Sequence, residues 1–424
     1  MTLTVDPGEL CLREFLRPGD RIVWSQACGE PTTLIEALLA QAEGIGALSA
    51  FAATSFSGQL DVVAAEKIAI SSMGAIGDLR ALTAAHRLGV IPCHVGQVGP
   101  MIEQGLIGCD AAFVQVSPPD ANGQHSFGLI ADFVHEAVMK ARVVIAEVNE
   151  RVPFTYGNVA LPTERIDCAV RVARAPVELA ATRISEVDQA IARVVAGYIE
   201  NGAVLQIGIG AVPDAILRLL RDRRDLGIHS GMLGDAIVDL TEIGVVTNAL
   251  KPIDAGISVT TALIGTQRLY DFAHENSRIA VRSSSYTHDP AVLSRLPNFV
   301  TINSAVEVDL TGQVNAEQSG AHYVGGTGGQ VEFVRAGSRS PGGHSIIALP
   351  STAKGGTVSR ITVALSGPVT TARSDVDIVI TEFGAAELKG QTLAERSRRL
   401  IAIAHPDFRD DLARAARVIQ QRGF

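Results

Sequence analysis

The sequence predicts an α/β protein built from two related open-sheet domains. Three observations predict it: a chain of 424 residues, near-continuous apolar runs separated by glycine turns, and a weak internal repeat. A chain of this length exceeds what one ordinary hydrophobic core serves, so two domains are expected. The runs Val143–Ala146 and Asp377–Ile380 are apolar with little alternation. That pattern suits central strands covered on both faces, in a sheet that is at least partly parallel.

The repeat opens at Gly19-Asp20-Arg21-Ile22-Val23-Trp24, a β-rich run that passes through Gly29-Glu30-Pro31 into residues 32–41. Apolar residues 34, 35, 38 and 39 there have helical spacing. A second copy opens at Gly202-Ala203-Val204-Leu205-Gln206-Ile207 and passes through Gly208-Ile209-Gly210 and Pro213 into a helix over 214–221. Both read as strand, glycine turn, then a helix with proline in its first turn. The next pair is Phe113–Ser117, running to Asp120–Gln124, against Val300–Ser304, running to Asp309–Gln313. The third pair is Ala141–Glu147 against Val376–Glu382. Three pairs in one order indicate two copies of one unit. The boundary is expected near 180–190, giving domains 1–184 and 185–424, with a helix over 186–199. Residues 406–423 read as a charged surface helix.

Net charge is −9 and the isoelectric point about 5.6. That balance argues against a general nucleic-acid or membrane-surface binder. The five cysteines show no C-x-x-C pair or zinc spacing, so buried thiols in a reducing compartment are expected and no metal is. Met1–Glu9 lacks a signal-peptide pattern, and no apolar run approaches the roughly 20 residues that span a bilayer. A cytoplasmic protein is the resulting expectation.

Ligands of open α/β sheets sit beyond the carboxyl ends of strands, and those of two-domain proteins often sit between domains. The turns at 208–210 and 325–329 are therefore the places to look. Gly325-Gly326-Thr327-Gly328-Gly329-Gln330 is the densest glycine cluster. Glycines let backbone approach a ligand closely, and successive N–H groups form an anion-binding concavity. Such a loop suits a phosphate, a pantetheine amide or the oxyanion of a thioester under attack; a plain sharp loop is the structural alternative. No Lys-Ser/Thr follows, so it is not a phosphate-binding P-loop, and Pro213 breaks a dinucleotide-binding reading of 208–213.

The cluster continues through Val331-Glu332-Phe333-Val334-Arg335 to Gly342-Gly343-His344-Ser345, then Ser351-Thr352-Ala353-Lys354 and Ser359-Arg360-Ile361. With Ser117-Pro118-Pro119-Asp120, Ala146-Glu147-Val148-Asn149, Gly208–Ala215, Thr370–Asp375 and Ile403-Ala404-His405-Pro406, it resembles the acetyl-CoA hydrolase/transferase family of CoA-transferases. The resemblance spans nearly the whole chain in order. It implies two domains of the CoA-transferase fold, an active site at their junction, coenzyme A as part of an acyl-CoA substrate, and a homo-oligomer, expected as a homodimer. It also makes Gly326, Gly328 and Gly329 candidates for the oxyanion and substrate, and Gly325, Gln330, Arg335, Lys354 and Arg360 candidates for CoA. Each of these cations, like Arg373, reads equally as solvated surface charge.

Two departures stand out. In the family, the residue after His-Ser in the run Leu226–Met232 is a glutamate that attacks the acyl-CoA and becomes a glutamyl-CoA thioester. Here that slot is Gly231. The family reads Asn-Pro where this chain has Asp289-Pro290, and that asparagine amide looks like an oxyanion donor; an ionised aspartate only accepts hydrogen bonds. Asp289 is thus a candidate general base, and His229 and His288 are candidates for proton transfer. Asp235, Glu242, Glu147, Glu307 and Glu317 are other carboxylates to weigh. Three functions stay open: direct attack of water or another acceptor on an acyl-CoA (hydrolysis, acyl transfer or cyclisation), a CoA-transferase with a substitute carboxylate, and an inactive subunit that binds CoA thioesters.

Overall fold

The computed structural model describes residues 2–421. The chain forms two compact units. One runs from the N-terminus to Ala180 and takes in Gly231–Asp235 and Ile257–Asp289; the other comprises Ala181–Ser230, Ala236–Gly256 and the chain from Pro290 onward. A single cut between 184 and 185 treats everything after it as one domain, whereas two later segments pack with the first unit. They carry short strands that pair within it, Met232–Leu233 with Ala262–Leu263 and Ser258–Thr260 with Ile279–Val281. No break in composition marks them.

The first unit is organised on a sheet of eight parallel strands. Their order is Leu3–Val5, Cys168–Val172, Val143–Asn149, Ala111–Val116, Arg21–Trp24, Ser49–Phe51, Ala69–Ser72 and Leu88–Val90. Every residue of Ala111–Val116 is buried, as an apolar central strand between two layers must be. Trp24, Phe113, Ile145 and Ile22 join Leu34, Ile35 and Leu38 of the helix Thr32–Ile45 in one core.

The second unit has a six-stranded sheet ordered Gly227–Ile228, Val204–Ile207, Phe299–Asn303, His344–Ala348, Ile378–Thr381 and Gly384–Glu387, antiparallel only at the last pair. Its helix Glu186–Ala196 starts where Ser185 and Asp188 form a capping box: Ser185 Oγ accepts the Asp188 N–H at 3.2 Å, and the Asp188 carboxylate accepts the Ser185 N–H at 2.8 Å. The helix Ala211–Leu219 begins three residues before the predicted start, on Gly210 at φ +109°, a conformation glycine tolerates. The C-terminal helix Pro406–Gln421 follows the charged pattern; Arg422 and Gly423, at its predicted end, lie outside the described residues.

The repeat is real in its first two pairs and displaced in its third. Val143–Asn149 pairs directly with Ala111–Val116, but His344–Ala348 lies between Phe299–Asn303 and Ile378–Thr381. By position, the counterpart of Val143–Asn149 is His344–Ala348, and that of Ile378–Thr381 is Cys168–Val172. Buried parallel strands all read as short apolar runs, so their order along the chain does not rank them within a sheet.

Among the described residues no helix is long and apolar enough to cross a membrane. None of the five cysteines is in a disulfide. Burial pushes the Cys28 and Cys168 thiols up to about 11 and the Cys109 thiol up to about 12, which makes them poor nucleophiles.

Candidate functional site

In the first unit the half-buried Gly231 precedes the strand Met232–Leu233. Its carbonyl accepts the hydroxyl of the buried Thr261, and the Thr261 carbonyl in turn accepts the Ala131 N–H at 3.0 Å. Asp235, four residues on, is occupied. Its carboxylate accepts the Thr266 hydroxyl at 2.9 Å and the Thr266 N–H at 3.1 Å, which fixes the turn after Leu263.

Asp289 ends a short turn of the same unit. Ser283 caps the helix Ser284–Thr287, accepting the Ser285 N–H at 3.1 Å, and the Asp289 N–H closes the turn on the Tyr286 carbonyl at 3.2 Å. Asp289 is half-buried. His288 is buried with Nδ1 3.0 Å from the Thr287 hydroxyl. Beneath lies support that the sequence reading missed. Glu136 Oε1 accepts both Ser283 Oγ at 2.8 Å and Ser285 Oγ at 2.7 Å, and the Asp132 carbonyl accepts the Ser284 N–H at 2.9 Å. Burial pushes the Asp132 carboxyl up to about 7, against hydrogen bonds from Gln26 and the Phe133 N–H that pull it down. The available signal was an acidic pair at i, i+4 inside the apolar stretch Ile130–Val138.

In the second unit His229 is fully buried. Its N–H reaches the Leu205 carbonyl at 3.0 Å, and its ring stands edge-on to Phe299 with centroids 6.3 Å apart. Ser230 Oγ donates to the Ile207 carbonyl at 2.8 Å. Residues 229–230 thus continue the edge of the strand Val204–Ile207 up to the Gly208 turn.

The glycine cluster follows the hairpin Gln318–Ser319 and His322–Tyr323. The Glu317 carbonyl accepts the N–H groups of Val324 at 2.8 Å and Gly325 at 3.0 Å, while its carboxylate accepts the hydroxyls of Thr370 at 2.7 Å and of Tyr323. Gly325 passes so close to this segment that a Cβ would lie 2.3 Å from the Ala316 carbonyl oxygen. Gly328 has φ +53°, and Gly329 caps the ten-residue helix Gln330–Arg339. The loop therefore ends on helix N–H groups that favour negative charge. Gln330 is buried and its amide donates to Thr371 Oγ1 at 3.2 Å.

The candidate cations do not share one state. Arg335 is paired with Asp375 at 2.9 Å. Arg360 lies between two short strands, donates to the Ala305 carbonyl at 3.4 Å, and has its pKa lowered by burial. Lys354 is exposed at a hairpin tip with φ +50°. Arg373 is exposed, and its carbonyl accepts from Arg396 at 2.6 Å.

Glu147 and Glu307 serve the fold. Glu147 accepts the N–H groups of Thr33 at 2.8 Å and Leu34 at 3.4 Å, and burial pushes it up to about 7. Glu307 accepts from Asn315 at 2.9 Å and from the Ser366 N–H and hydroxyl at 2.7 and 2.8 Å. Glu242 is exposed at the end of the helix Ala236–Glu242.

Comparison with known proteins agrees with this architecture. The model of the acetyl-CoA hydrolase/transferase N-terminal domain matches residues 9–180, and that of the C-terminal domain matches 265–416. The 4-hydroxybutyrate coenzyme A transferase of Clostridium kluyveri is 40% identical over 396 residues, 92% of each chain. Among solved structures, RipA from Yersinia pestis superposes with a TM-score of 0.91 at 33% identity, covering 99% of this chain and 98% of that one. The 4-hydroxybutyrate CoA-transferase of Porphyromonas gingivalis does so with a TM-score of 0.83 at 33% identity, over 99% and 98%. The chain belongs to the acetyl-CoA hydrolase/transferase family, enzymes that act on acyl-CoA thioesters.

Proposed function

We propose that the protein processes an acyl-CoA without a glutamyl-CoA relay, by attack of water or another acceptor directly on the thioester carbon. One observation carries the reading. By resemblance Gly231 stands in the slot of the family's nucleophilic glutamate, and four of the other carboxylates weighed hold structural donors. Asp235 is spent on Thr266, Glu147 on a helix N-terminus, Glu307 on Asn315 and Ser366, and Glu317 on Thr370 and Tyr323. A carboxylate holding two or more structural donors gives up those bonds to attack a thioester, which costs about 1–3 kcal/mol for each group left unsatisfied.

In this reading Asp289 is the general base. The residues that lead into it, Ser283 to Ser285, are held by Glu136 and the Asp132 carbonyl, which supports a fixed backbone at this turn. It takes the proton of the attacking water or acceptor as the new C–O, C–N or C–C bond forms. The C–S bond then breaks, and the CoA thiolate leaves and takes up a proton. The developing oxyanion calls for N–H donors, and the resemblance names those of the glycine loop as candidates. A full burial against Phe299 supports a packing role for His229.

Intact-mass measurement after incubation with acyl-CoA tests the relay. No adduct of protein and CoA is expected, while thiol titration shows CoA release; a stable glutamyl-CoA or aspartyl-CoA adduct overturns the reading in favour of a substitute carboxylate. Asp289→Asn should slow release by about 10²–10⁴-fold, the usual contribution of a positioned base. Gly231→Glu with Asp289→Asn should acquire the adduct and exchange CoA between carboxylates. Tight acyl-CoA binding with no turnover on any acceptor would instead identify a binding subunit.

A further inference from the structure

The second unit holds a cleft of about 480 Å³ between the segment that enters it and two adjacent helices, Glu186–Ala196 and Ala211–Leu219. Arg183, Arg193, Arg218 and Gln189 line it together with Ile184 and Leu219. None of the lining residues belongs to the glycine loop or to the turns that carry Gly231 and Asp289.

Three exposed arginines line this one cleft. Among the described residues none of the three side chains makes a hydrogen bond or ion pair. Elsewhere Arg21, Arg142, Arg335, Arg398 and Arg399 each meet a carboxylate. The chain has 45 acidic against 36 basic side chains, so unpaired arginines gathered in one place do not reflect a shortage of partners. Arg193 and Arg218 lie in the last turns of their helices, where a cation meets the negative end of the helix dipole. That accounts for each singly, and not for their convergence with Arg183 from the preceding segment.

We propose that this cleft is a second anion site, for a molecule bearing a di- or triphosphate on an apolar or aromatic body, of nucleotide type. Guanidinium forks match phosphate oxygens in bidentate pairs, and three of them balance the charge of a di- or triphosphate. Gln189 adds an amide donor, and Ile184 and Leu219 form an apolar wall for the remainder. The volume falls within the roughly 300–1,000 Å³ of small-molecule pockets.

Calorimetric titration of the full chain with ATP and with pyrophosphate, at low salt and with saturating CoA present, tests it. Both are expected to bind, ATP the more tightly. Arg193→Ala and Arg218→Glu should each weaken binding by about tenfold or more, as loss of a charge-assisted pair does, and leave acyl-CoA turnover unchanged, which confirms that the variants fold. Absence of binding, affinity that ignores the arginine substitutions, or binding abolished by CoA would overturn the proposal. Equal affinity for pyrophosphate and ATP would overturn the role of the apolar wall.

Discussion

The two halves of the molecule begin their first helix from the same plan and finish it differently. In the first half the strand Arg21–Trp24 leads to the helix Thr32–Ile45, whose N-terminus is buried and closed by the chain's own carboxylate: Glu147 accepts the Thr33 and Leu34 N–H groups. In the second half the strand Val204–Ile207 leads through Gly208–Gly210 to the helix Ala211–Leu219, where residues 208–212 are half-buried. There the N-cap is Gly210, which has no side chain, and the acidic residue of the first turn is Asp214. A helix N-terminus carries about half a positive charge wherever it stands. One copy gives its first N–H groups an acceptor from a distant strand; the other has a glycine turn and Asp214 there, and that turn is where an external anion is expected. The comparison predicts a division of effects. Adding side chains to the glycine turns of the second half should harm activity, and removing Glu147 from the first should harm stability.

Between the two halves, the largest effect is expected at Gly325. A methyl group there would meet the Ala316 carbonyl oxygen at 2.3 Å, and backbone does not give way as a flexible side chain does. Gly325→Ala must displace the loop that ends on the helix Gln330–Arg339. A shift of about 1 Å in a positioned site costs about 10² in rate, so kcat/KM for acyl-CoA should fall by about that factor while the melting temperature changes little. Unchanged kinetics would remove the loop from the site.

Removing Glu147 should give the opposite signature. Glu147→Ala leaves the Thr33 and Leu34 N–H groups without their acceptor and is expected to cost about 2 kcal/mol, read as a lower melting temperature with turnover nearly intact at 25 °C. The pH dependence follows from the direction of its shift. Its carboxyl is raised from 4.5 to about 7 by burial, so the folded state holds the proton more tightly than the unfolded one. Its contribution is therefore full below pH 4.5 and is lost as pH rises through 7. Glu30 and Asp132 are raised to about 7 in the same way, so melting temperature should decline over that window. Glu147→Gln should flatten the decline, and a melting profile that rises between pH 5 and 7 would contradict it.

Much of this architecture was legible because it rests on short-range pattern. Buried parallel strands announce themselves as apolar runs, and the helix from 186 as a helical run just past the expected boundary. The third pair of the repeat slipped because Val143–Ala146, Ser345–Ala348 and Ile378–Ile380 are chemically alike, and only hydrogen bonding ranks them in a sheet. The placement of Gly231–Asp235 with the first unit was hidden for a related reason: Thr261 and Thr266, which anchor it, lie about thirty residues away. Glu136 and Ser283 are separated by 147 positions, so the support beneath Asp289 exists only once the chain has folded. Resemblance singled out Gly231 and Asp289; geometry is what tied Asp235, Glu307 and Glu317 to structural work and paired Arg335 with Asp375.

The smallest expected effect bears most directly on the comparison. Gly208 has no atom within 4 Å of where a Cβ would lie, and its φ is outside the range that demands glycine. Gly208→Asp is therefore accommodated, and it adds a second carboxylate, besides that of Asp214, near the N-terminus of Ala211–Leu219, imitating in the second half what Glu147 does in the first. An acidic group there typically contributes about 0.3–1 kcal/mol, so the melting temperature should rise slightly. The same charge competes with an incoming anion, so KM for acyl-CoA should rise about tenfold with kcat little changed, and added salt should narrow the gap as screening weakens the repulsion. A variant that is more stable and binds acyl-CoA as well as the parent would show that this helix end receives no anion, and that the two halves differ there for packing alone.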